Sequence, residues 1–206
     1  MTHAGHSYSA RGLDAIAQIA EAERAAVVLA AERLRDAGYP VPIVSMGSSP
    51  TVRHARHFEG VTELRAGVYM FGDLFQAGIG THDIGSIALT VLTSVIGRRP
   101  GRLLVDAGGL ALSKDRSTAD GPKDYGFGLV LDLAGEGSHG DAVVRRAYQE
   151  HGVVEIDPAH PIDLPVGTKL RIAPNHVCMT AAAHDRYFVV DGTDEIVAVW
   201  PRVNGW

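Results

Sequence analysis

One short stretch, residues 174–180, contains the side chains with the most distinctive chemistry. It holds His176 and, two residues later, Cys178, the single cysteine of the sequence. In an extended segment residues i and i+2 point to the same face, so the imidazole and the thiol would aim at one point. A soft divalent metal such as zinc suits that pair. The alternative is that Cys178 is a small buried residue and His176 a hydrogen-bonded neighbour without special chemistry.

A turn rich in glycine and hydroxyl groups forms a second candidate, Gly47-Ser48-Ser49-Pro50-Thr51. Glycine permits a tight backbone turn, and proline is favourable in the first turn of a helix. Backbone N–H groups at a helix start attract anions, commonly phosphate. The Gly-Lys-Ser/Thr end of a P-loop is missing, however. The stretch therefore predicts either a phosphate site or a capped strand-to-helix turn that binds nothing.

The longest periodic segment lies before this turn. Apolar residues recur at helical spacing through residues 13–37, with charged residues between them. Gly38 follows where a left-handed C-terminal cap is expected, and Pro40 and Pro42 prevent continuation. We therefore expect one amphipathic helix here.

Shorter elements follow in alternation. Residues 41–45 predict an apolar strand, residues 52–57 a short helix, and residues 63–73 a further strand with Tyr69 and Phe71 on one face. Alternating strands and helices imply parallel α/β structure. A serine- and glycine-rich loop after a strand is similar to the phosphate site of (β/α)8 barrels.

The character of the chain changes near residue 80. Short β-branched and apolar runs alternate with glycine and proline, and no convincing helix is expected. The predicted strands are residues 87–96, 103–106, 127–133, 153–156, 168–173, 186–190 and 196–200. We therefore predict two domains, an α/β part over residues 1–80 and an all-β part over residues 81–206 that carries the His176–Cys178 pair.

Composition excludes several classes of protein. The chain has 206 residues, 46% hydrophobic and 21% charged, with a net charge of −5, which fits a globular protein. The acidic balance gives no nucleic-acid footprint, and no stretch is long and apolar enough to span a membrane. One cysteine against ten histidines indicates a reducing compartment. Because the amino terminus lacks the features of a signal peptide, we expect a cytoplasmic protein.

Several motifs occur together in a specific order. They are Gly5-His6-Ser7-Tyr8, the turn at residues 47–51 with residues 63–69, then residues 105–109, 112–115 and 150–152, and finally residues 174–180. The set resembles the metal-activated D-serine dehydratases and D-threonine aldolases, which are pyridoxal-phosphate enzymes of the alanine-racemase fold type. The similarity runs from residue 3 to residue 200.

The resemblance implies the closing strands of a (β/α)8 barrel followed by a carboxy-terminal β-domain. Gly47, Ser48, Ser49 and Thr51 would bind the phosphate of pyridoxal 5'-phosphate. Tyr8 would lie near the cofactor at the end of a barrel strand. Tyr69 would lie in or near the active site, as a catalytic residue, although an aromatic residue that alternates with another is often core.

The resemblance also implies that His176 and Cys178 bind zinc. A His-x-Cys pair looks more like the dehydratase branch, since the aldolase branch has aspartate in the second place. This favours elimination of water from a small D-3-hydroxyamino acid. A retro-aldol cleavage, a racemase of the same fold and a non-catalytic remnant remain as alternatives, although racemisation needs no metal.

The lysine that anchors the cofactor in this family lies near the amino terminus of the barrel. The lysines of this chain, Lys114, Lys123 and Lys169, have no matching context. A complete (β/α)8 barrel alone takes about 250 residues. We therefore expect the carboxy-terminal half of a longer enzyme, inactive without an amino-terminal half as its partner. Enzymes of this fold type are commonly dimers, so a homodimer is also an expectation.

Overall fold

The computed structural model describes residues 1–203. The chain divides into two compact units, one made of Met1–Met70 with Gln76–Asp83, the other of Phe71–Phe75 with the residues from Ile84 onward. The first unit contains α1 (Leu13–Asp36), β1 (Ser45–Met46), α2 (Ser49–His54) and β2 (Glu63–Leu64). A short helix, α3 (Leu74–Gly78), contains the point of division. Among residues 1–203, no helix has the length and apolar character needed to cross a bilayer.

Helix α1 (Leu13–Asp36) confirms the predicted amphipathic helix. Its buried face includes Ile16, Ala20 and Val27, which are separated by about one and two helical turns and so lie on one side of the helix. Gly38 adopts φ +85° after the last turn, as a left-handed cap requires. The apolar face of α1 and the first strand share one core, formed with partly buried neighbours by Val27, Ala31, Val44 and Met46.

The strands of the first unit are shorter than expected. The parallel pair consists of β1 (Ser45–Met46) and β2 (Glu63–Leu64). The predicted strand at residues 41–45 is largely wrong, because Pro42 cannot donate to a ladder. The predicted strand at residues 63–73 is also wrong beyond Leu64, since β1 offers only two residues to pair with and turns follow.

Helix α2 (Ser49–His54) starts three residues earlier than predicted. Ser48 is its N-cap and forms a reciprocal capping box with Thr51, while Pro50 occupies the first turn. These residues therefore start the helix as soon as β1 has ended.

A six-stranded closed antiparallel barrel forms the centre of the second unit. The strands of this unit are β3 (Val91–Arg99), β4 (Arg102–Val105), β5 (Leu129–Leu131), β6 (Val143–Ala147), β7 (Gly152–Glu155), β8 (Lys169–Ala173), β9 (Arg186–Val190) and β10 (Ile196–Pro201). The barrel has the order β3-β4-β7-β6-β5-β8, and β9 and β10 form a separate hairpin. Every strand predicted after residue 80 overlaps an observed one.

The structure adds elements that the sequence did not reveal. Strand β6 was missed because its register shifts between Val144 and Arg146, which breaks the alternation of apolar residues. The expectation of no helix after residue 80 is wrong, since α4 (Gly109–Leu112) and α5 (Val177–Ala182) occur there. Both are too short to show a helical period in the sequence.

Candidate functional site

His176 and Cys178 lie at the start of helix α5, not in an extended run. His176 is the N-cap residue, with φ −134° and ψ 108°, and Cys178 is the second helical residue. The buried carboxylate of Asp73 accepts the Val177 N–H at 3.0 Å, and the Thr180 N–H donates to the His176 carbonyl at 3.2 Å. These bonds start a helical turn, so the predicted extended geometry of residues 174–180 is wrong.

The two side chains nevertheless come together. A hydrogen bond with Cys178 raises the pKa of His176 to about 9; burial opposes this rise and the Asp115 carboxylate adds to it. The imidazole is therefore protonated near neutral pH, and a metal that binds it must displace the proton. Cys178 is exposed and forms no disulfide.

Asp115 is the charged partner of His176. Its Oδ2 lies 3.1 Å from His176 Nδ1, and its Oδ1 accepts the Ser117 N–H at 2.7 Å and the Ser117 hydroxyl. Burial opposes ionisation, but the bonds from Ser117 and His176 outweigh it and hold the pKa of Asp115 below its ordinary value. The carboxylate is thus ionised and fixed in orientation.

Asn175 holds the surrounding loops in place. It is 1% exposed; its side-chain oxygen accepts the Thr118 N–H at 3.1 Å, and its amide donates to the carbonyls of Asp115 at 3.2 Å and Gly126 at 2.7 Å. The side-chain oxygen and amide nitrogen of Asn175 therefore both have hydrogen-bond partners within the chain. The residue before His176 therefore fixes the loop that carries Asp115.

The side chains at the start of α5 are of the types that bind a divalent metal. An imidazole and a thiol in contact are the soft ligands that zinc prefers. Within residues 1–203 no group of three or more histidine, cysteine, aspartate or glutamate side chains is arranged to hold a metal ion. Two protein ligands would leave the remaining positions open, as a catalytic metal requires.

The candidate phosphate turn lies in the first unit and is largely bonded to itself. Ser48 Oγ lies 2.9 Å from Thr51 Oγ1, the Ser48 N–H donates to Thr51 Oγ1, and the Thr51 N–H donates to Ser48 Oγ. Ser49 Oγ accepts the Val68 N–H at 3.1 Å. All three side chains are buried. An anion would therefore meet rotatable hydroxyls at a helix start, where their protons can turn toward it.

Gly47 fits closely between its neighbours at the end of β1. Its φ is +137°, and a Cβ atom there would lie 2.5 Å from the Arg65 carbonyl oxygen. Glu23, buried in α1, accepts the N–H groups of Gly47 at 3.2 Å and Ala4 at 3.1 Å. The turn is therefore tied to both α1 and the amino-terminal segment.

Tyr8 lies in a segment whose neighbouring residues, Ser7 and His3, contact this turn. It belongs to a 3-10 helix, Gly5–Ser9. Ser7 Oγ lies 3.1 Å from Ser48 Oγ, and the His3 ring, 6.0 Å from that of Tyr8, contacts the Gly47 carbonyl at 3.0 Å. The segment that carries Tyr8 and the turn at residues 47–51 thus form one cluster.

Tyr69 occupies a turn rather than a strand. It is 76% exposed, next to Val68, whose N–H binds Ser49. Its phenol is open to solvent, so core packing is not its role.

Sequence reasoning missed several residues that complete these clusters, namely Asp73, Asp115, Asn175, Glu23 and Ser7. Of these, Asp115, Asn175 and Ser7 stand in the quoted motifs, but no spacing rule links residues far apart in the chain. The only signal was that those motifs contain polar residues that strand pairing does not require.

Comparisons with known proteins agree with this architecture. Residues 88–190 match the family model of the serine dehydratase domain, and residues 1–74 match that of the alanine racemase N-terminal domain. The fold is therefore alanine-racemase-like, with a closed barrel of six strands in its second unit. The chain belongs to the D-serine dehydratase family.

Two curated relatives match the whole chain. It is 46% identical to D-threo-3-hydroxyaspartate dehydratase from Delftia sp. (strain HT23), of which it covers 56%. It is 33% identical to D-serine dehydratase from Dictyostelium discoideum, of which it covers 53%. The chain thus spans about half the length of the curated relatives it matches.

Solved structures give the same picture. Two variants of D-threo-3-hydroxyaspartate dehydratase match with a TM-score of 0.92 and 43% identity, covering all of this chain and 54% and 55% of theirs. One has a histidine replaced by alanine; the other, in a metal-free form, has a cysteine two positions later replaced. D-threonine aldolase from Filomicrobium marinum matches with a TM-score of 0.73 and 25% identity, over 97% of this chain and 51% of its own.

Proposed function

We propose that this chain carries the phosphate-binding and metal-binding residues of a pyridoxal-phosphate- and zinc-dependent lyase. The reaction is elimination of water from a small D-3-hydroxyamino acid, which releases ammonia and a 2-oxo acid. The main support is that His176 and Cys178 both lie at the start of α5, close enough for Cys178 to raise the pKa of His176. The histidine and cysteine replaced in the dehydratase variants have the same spacing, and the cysteine variant is metal-free.

The proposed roles follow from the local chemistry. Pyridoxal phosphate supplies an electron sink for the charge left when the α-proton departs. A divalent ion supplies Lewis-acid stabilisation of the leaving hydroxide, and His176 and Cys178 are its proposed ligands. Gly47, Ser48, Ser49 and Thr51 are the proposed phosphate site, because a tight turn, a helix start and hydroxyl donors suit a phosphate.

Two tyrosines of the first unit are also assigned roles. Tyr8 is assigned to the cofactor because its segment contacts the turn at residues 47–51 through Ser7 and His3. Tyr69 is assigned to catalysis because its phenol is exposed beside Val68, which is bonded to Ser49. A phenol in that place can hold or move a proton at the reacting carbon.

Retro-aldol cleavage is the second candidate, since a D-threonine aldolase shares the fold. Elimination is favoured by Cys178, which takes the place where the aldolase branch has aspartate. Identity to a dehydratase is also higher, 46% against 25% to the aldolase structure. The two reactions differ in products, because elimination gives ammonia and a 2-oxo acid while cleavage gives glycine and an aldehyde.

The test supplies both cofactors to the chain alone and to the chain mixed with a polypeptide covering the rest of the Delftia enzyme, including its cofactor lysine. The substrates are D-serine, D-threo-3-hydroxyaspartate and D-threonine. We expect zinc-dependent release of ammonia and 2-oxo acid in the mixture only, and its loss in His176→Ala and Cys178→Ala. Glycine and aldehyde as the main products, or turnover that is indifferent to zinc and both variants, would contradict the proposal.

A further inference from the structure

The loop Ser113–Ser117 carries the carboxylate that meets His176, and its backbone is held in an unusual conformation. Ser113 follows α4 with φ 68° and ψ 177°, a region that only glycine enters freely. The Asp115 N–H donates to Ser113 Oγ at 3.2 Å. A strained serine conformation persists only where its surroundings hold it. Here the Ser113 hydroxyl accepts the Asp115 N–H, so the strained residue helps to fix the position of Asp115.

Both carboxylate oxygens of Asp115 have hydrogen-bond partners. Oδ1 takes the two donors of Ser117, and Oδ2 faces His176 Nδ1 at 3.1 Å. The Asp115 carbonyl accepts from the buried Asn175 side chain. With one oxygen fixed by Ser117, the other can approach His176 from one direction only. The Asp115 carboxylate is therefore held in a more definite orientation than the carboxylate of an exposed ion pair.

A carboxylate on Nδ1 determines how the imidazole can act. When a metal displaces the Nε2 proton, the carboxylate keeps the remaining proton on Nδ1, so the Nε2 lone pair faces the metal. It also fixes the ring orientation and makes the nitrogen more basic toward a metal. Asp115 is not arranged with His176 and Cys178 as a group of three ligands. Its contact therefore acts through the histidine rather than on a metal directly.

We propose that Asp115 is the positioning residue of the metal site: it holds the His176 ring so that Nε2 and the Cys178 sulfur face one metal ion. This inference rests on the proposed metal site. Asp115 belongs to the motif at residues 112–115, for which the sequence predicted no role. Its contact with His176 provides one. Replacing Asp115 should leave both ligands present but badly oriented.

The test measures the apparent Zn²⁺ dissociation constant of the chain at fixed pH, by competition with a chromophoric chelator. We expect Asp115→Asn to weaken binding about 10- to 100-fold, the usual effect of losing a partner of a metal-bound histidine. Asp157→Asn is the matched control, because Asp157 also pairs with a histidine, His160, at 3.4 Å, away from α5. Its zinc affinity should equal that of the parent.

Further variants separate positioning from stability. Asp115→Glu, which keeps the charge, should recover part of the affinity. Ser117→Ala removes the hydroxyl donor to Oδ1 but keeps the backbone donor and the carboxylate, so it should weaken zinc binding less than Asp115→Asn. It also tests the role of Asp115 if Asp115→Asn does not fold. With Co²⁺, the visible ligand-field bands of Asp115→Asn should shift while thiolate charge transfer from Cys178 persists, which a loss of stability alone would not produce.

Three outcomes are distinguishable. Parent-like affinity in Asp115→Asn and Ser117→Ala, with His176→Ala and Cys178→Ala impaired, would overturn the role of Asp115 and leave the metal site intact. Equal losses in Asp115→Asn and Asp157→Asn would also overturn it. A parent that binds zinc no better than His176→Ala would remove the proposed metal site, and this inference with it.

Discussion

The side chains of His176 and Cys178 meet by a route that their spacing does not suggest. In a helix, residues i and i+2 point in different directions. Because His176 is an extended N-cap and Cys178 lies in the first turn, the two side chains can still meet. The same residue types thus retain the proposed chemistry although the expected backbone is wrong.

Gly47 provides a direct test of the candidate phosphate turn. We expect Gly47→Ala to destabilise the chain by more than the roughly 1–2 kcal/mol of a left-handed non-glycine residue, because the new Cβ would also meet Arg65 backbone atoms at 2.5 and 2.9 Å. Gly38→Ala is the control, since Gly38 also has positive φ but nothing within 4 Å. Urea unfolding compares the two.

Equal losses of unfolding free energy in both variants would show that the close approach to Arg65 carries no cost. Measured with the same proteins, pyridoxal-phosphate binding should weaken in Gly47→Ala and remain at the parent level in Gly38→Ala.

At the residue scale, the sequence could show candidates but not their partners. His176 and Cys178 were visible because their types and spacing are rare together. Asp115 lies 61 positions before His176, and no local rule joins them. Glu23 looked like one more charged residue on α1, yet its carboxylate is buried against Gly47.

At the element scale, length decides what the sequence could predict. Helix α1 has 24 residues, so its period and its caps were unambiguous. Strand β1 has two residues and α5 has six, which is too few for a period. Their bounds depend on distant partners, such as the Asp73 carboxylate that receives the Val177 N–H.

Asp73 is therefore expected to determine where α5 begins. The variant Asp73→Ala leaves the Val177 N–H without its acceptor in a buried place, a loss of about 1–3 kcal/mol in the free energy of unfolding. Because α5 carries His176 and Cys178, zinc affinity should fall as well. Asp163→Ala is the control, since Asp163 forms only an exposed pair with Arg98, worth about 0–1 kcal/mol.

Urea unfolding and zinc titration of both variants check this expectation. If Asp73→Ala matched Asp163→Ala in both measurements, the start of α5 would be fixed by the rest of its packing and not by Asp73.

At the scale of the molecule, strands were easier to locate than to pair. The closed barrel has the order β3-β4-β7-β6-β5-β8, in which β7 pairs with β4 and β8 pairs with β3, two partners far away in the sequence. Alternating apolar residues indicate which faces are buried, but not which strand is the neighbour. The parallel character of the first unit, by contrast, followed from the alternation of strand and helix, and β1 and β2 confirm it.

That parallel pair leads to a prediction about the whole chain. Parallel sheets are normally covered on both faces and contain several strands, and a two-stranded sheet is marginal. Within residues 1–203, β1 and β2 form a sheet only with each other. Ile43, just before β1, is 62% exposed, and Leu64 in β2 is 42% exposed. An open edge flanked by apolar side chains favours pairing with another chain.

We therefore expect the chain alone to self-associate, and a polypeptide that supplies further parallel strands to suppress this. Size-exclusion chromatography with light scattering over a range of concentrations measures the association. Ile43→Glu should reduce it by placing a charge beside the edge. Val166→Glu, at a residue that is 63% exposed in the second unit, should not. A monodisperse monomer with a cooperative melt, without any partner, would contradict the prediction, because it would show that two strands satisfy this sheet.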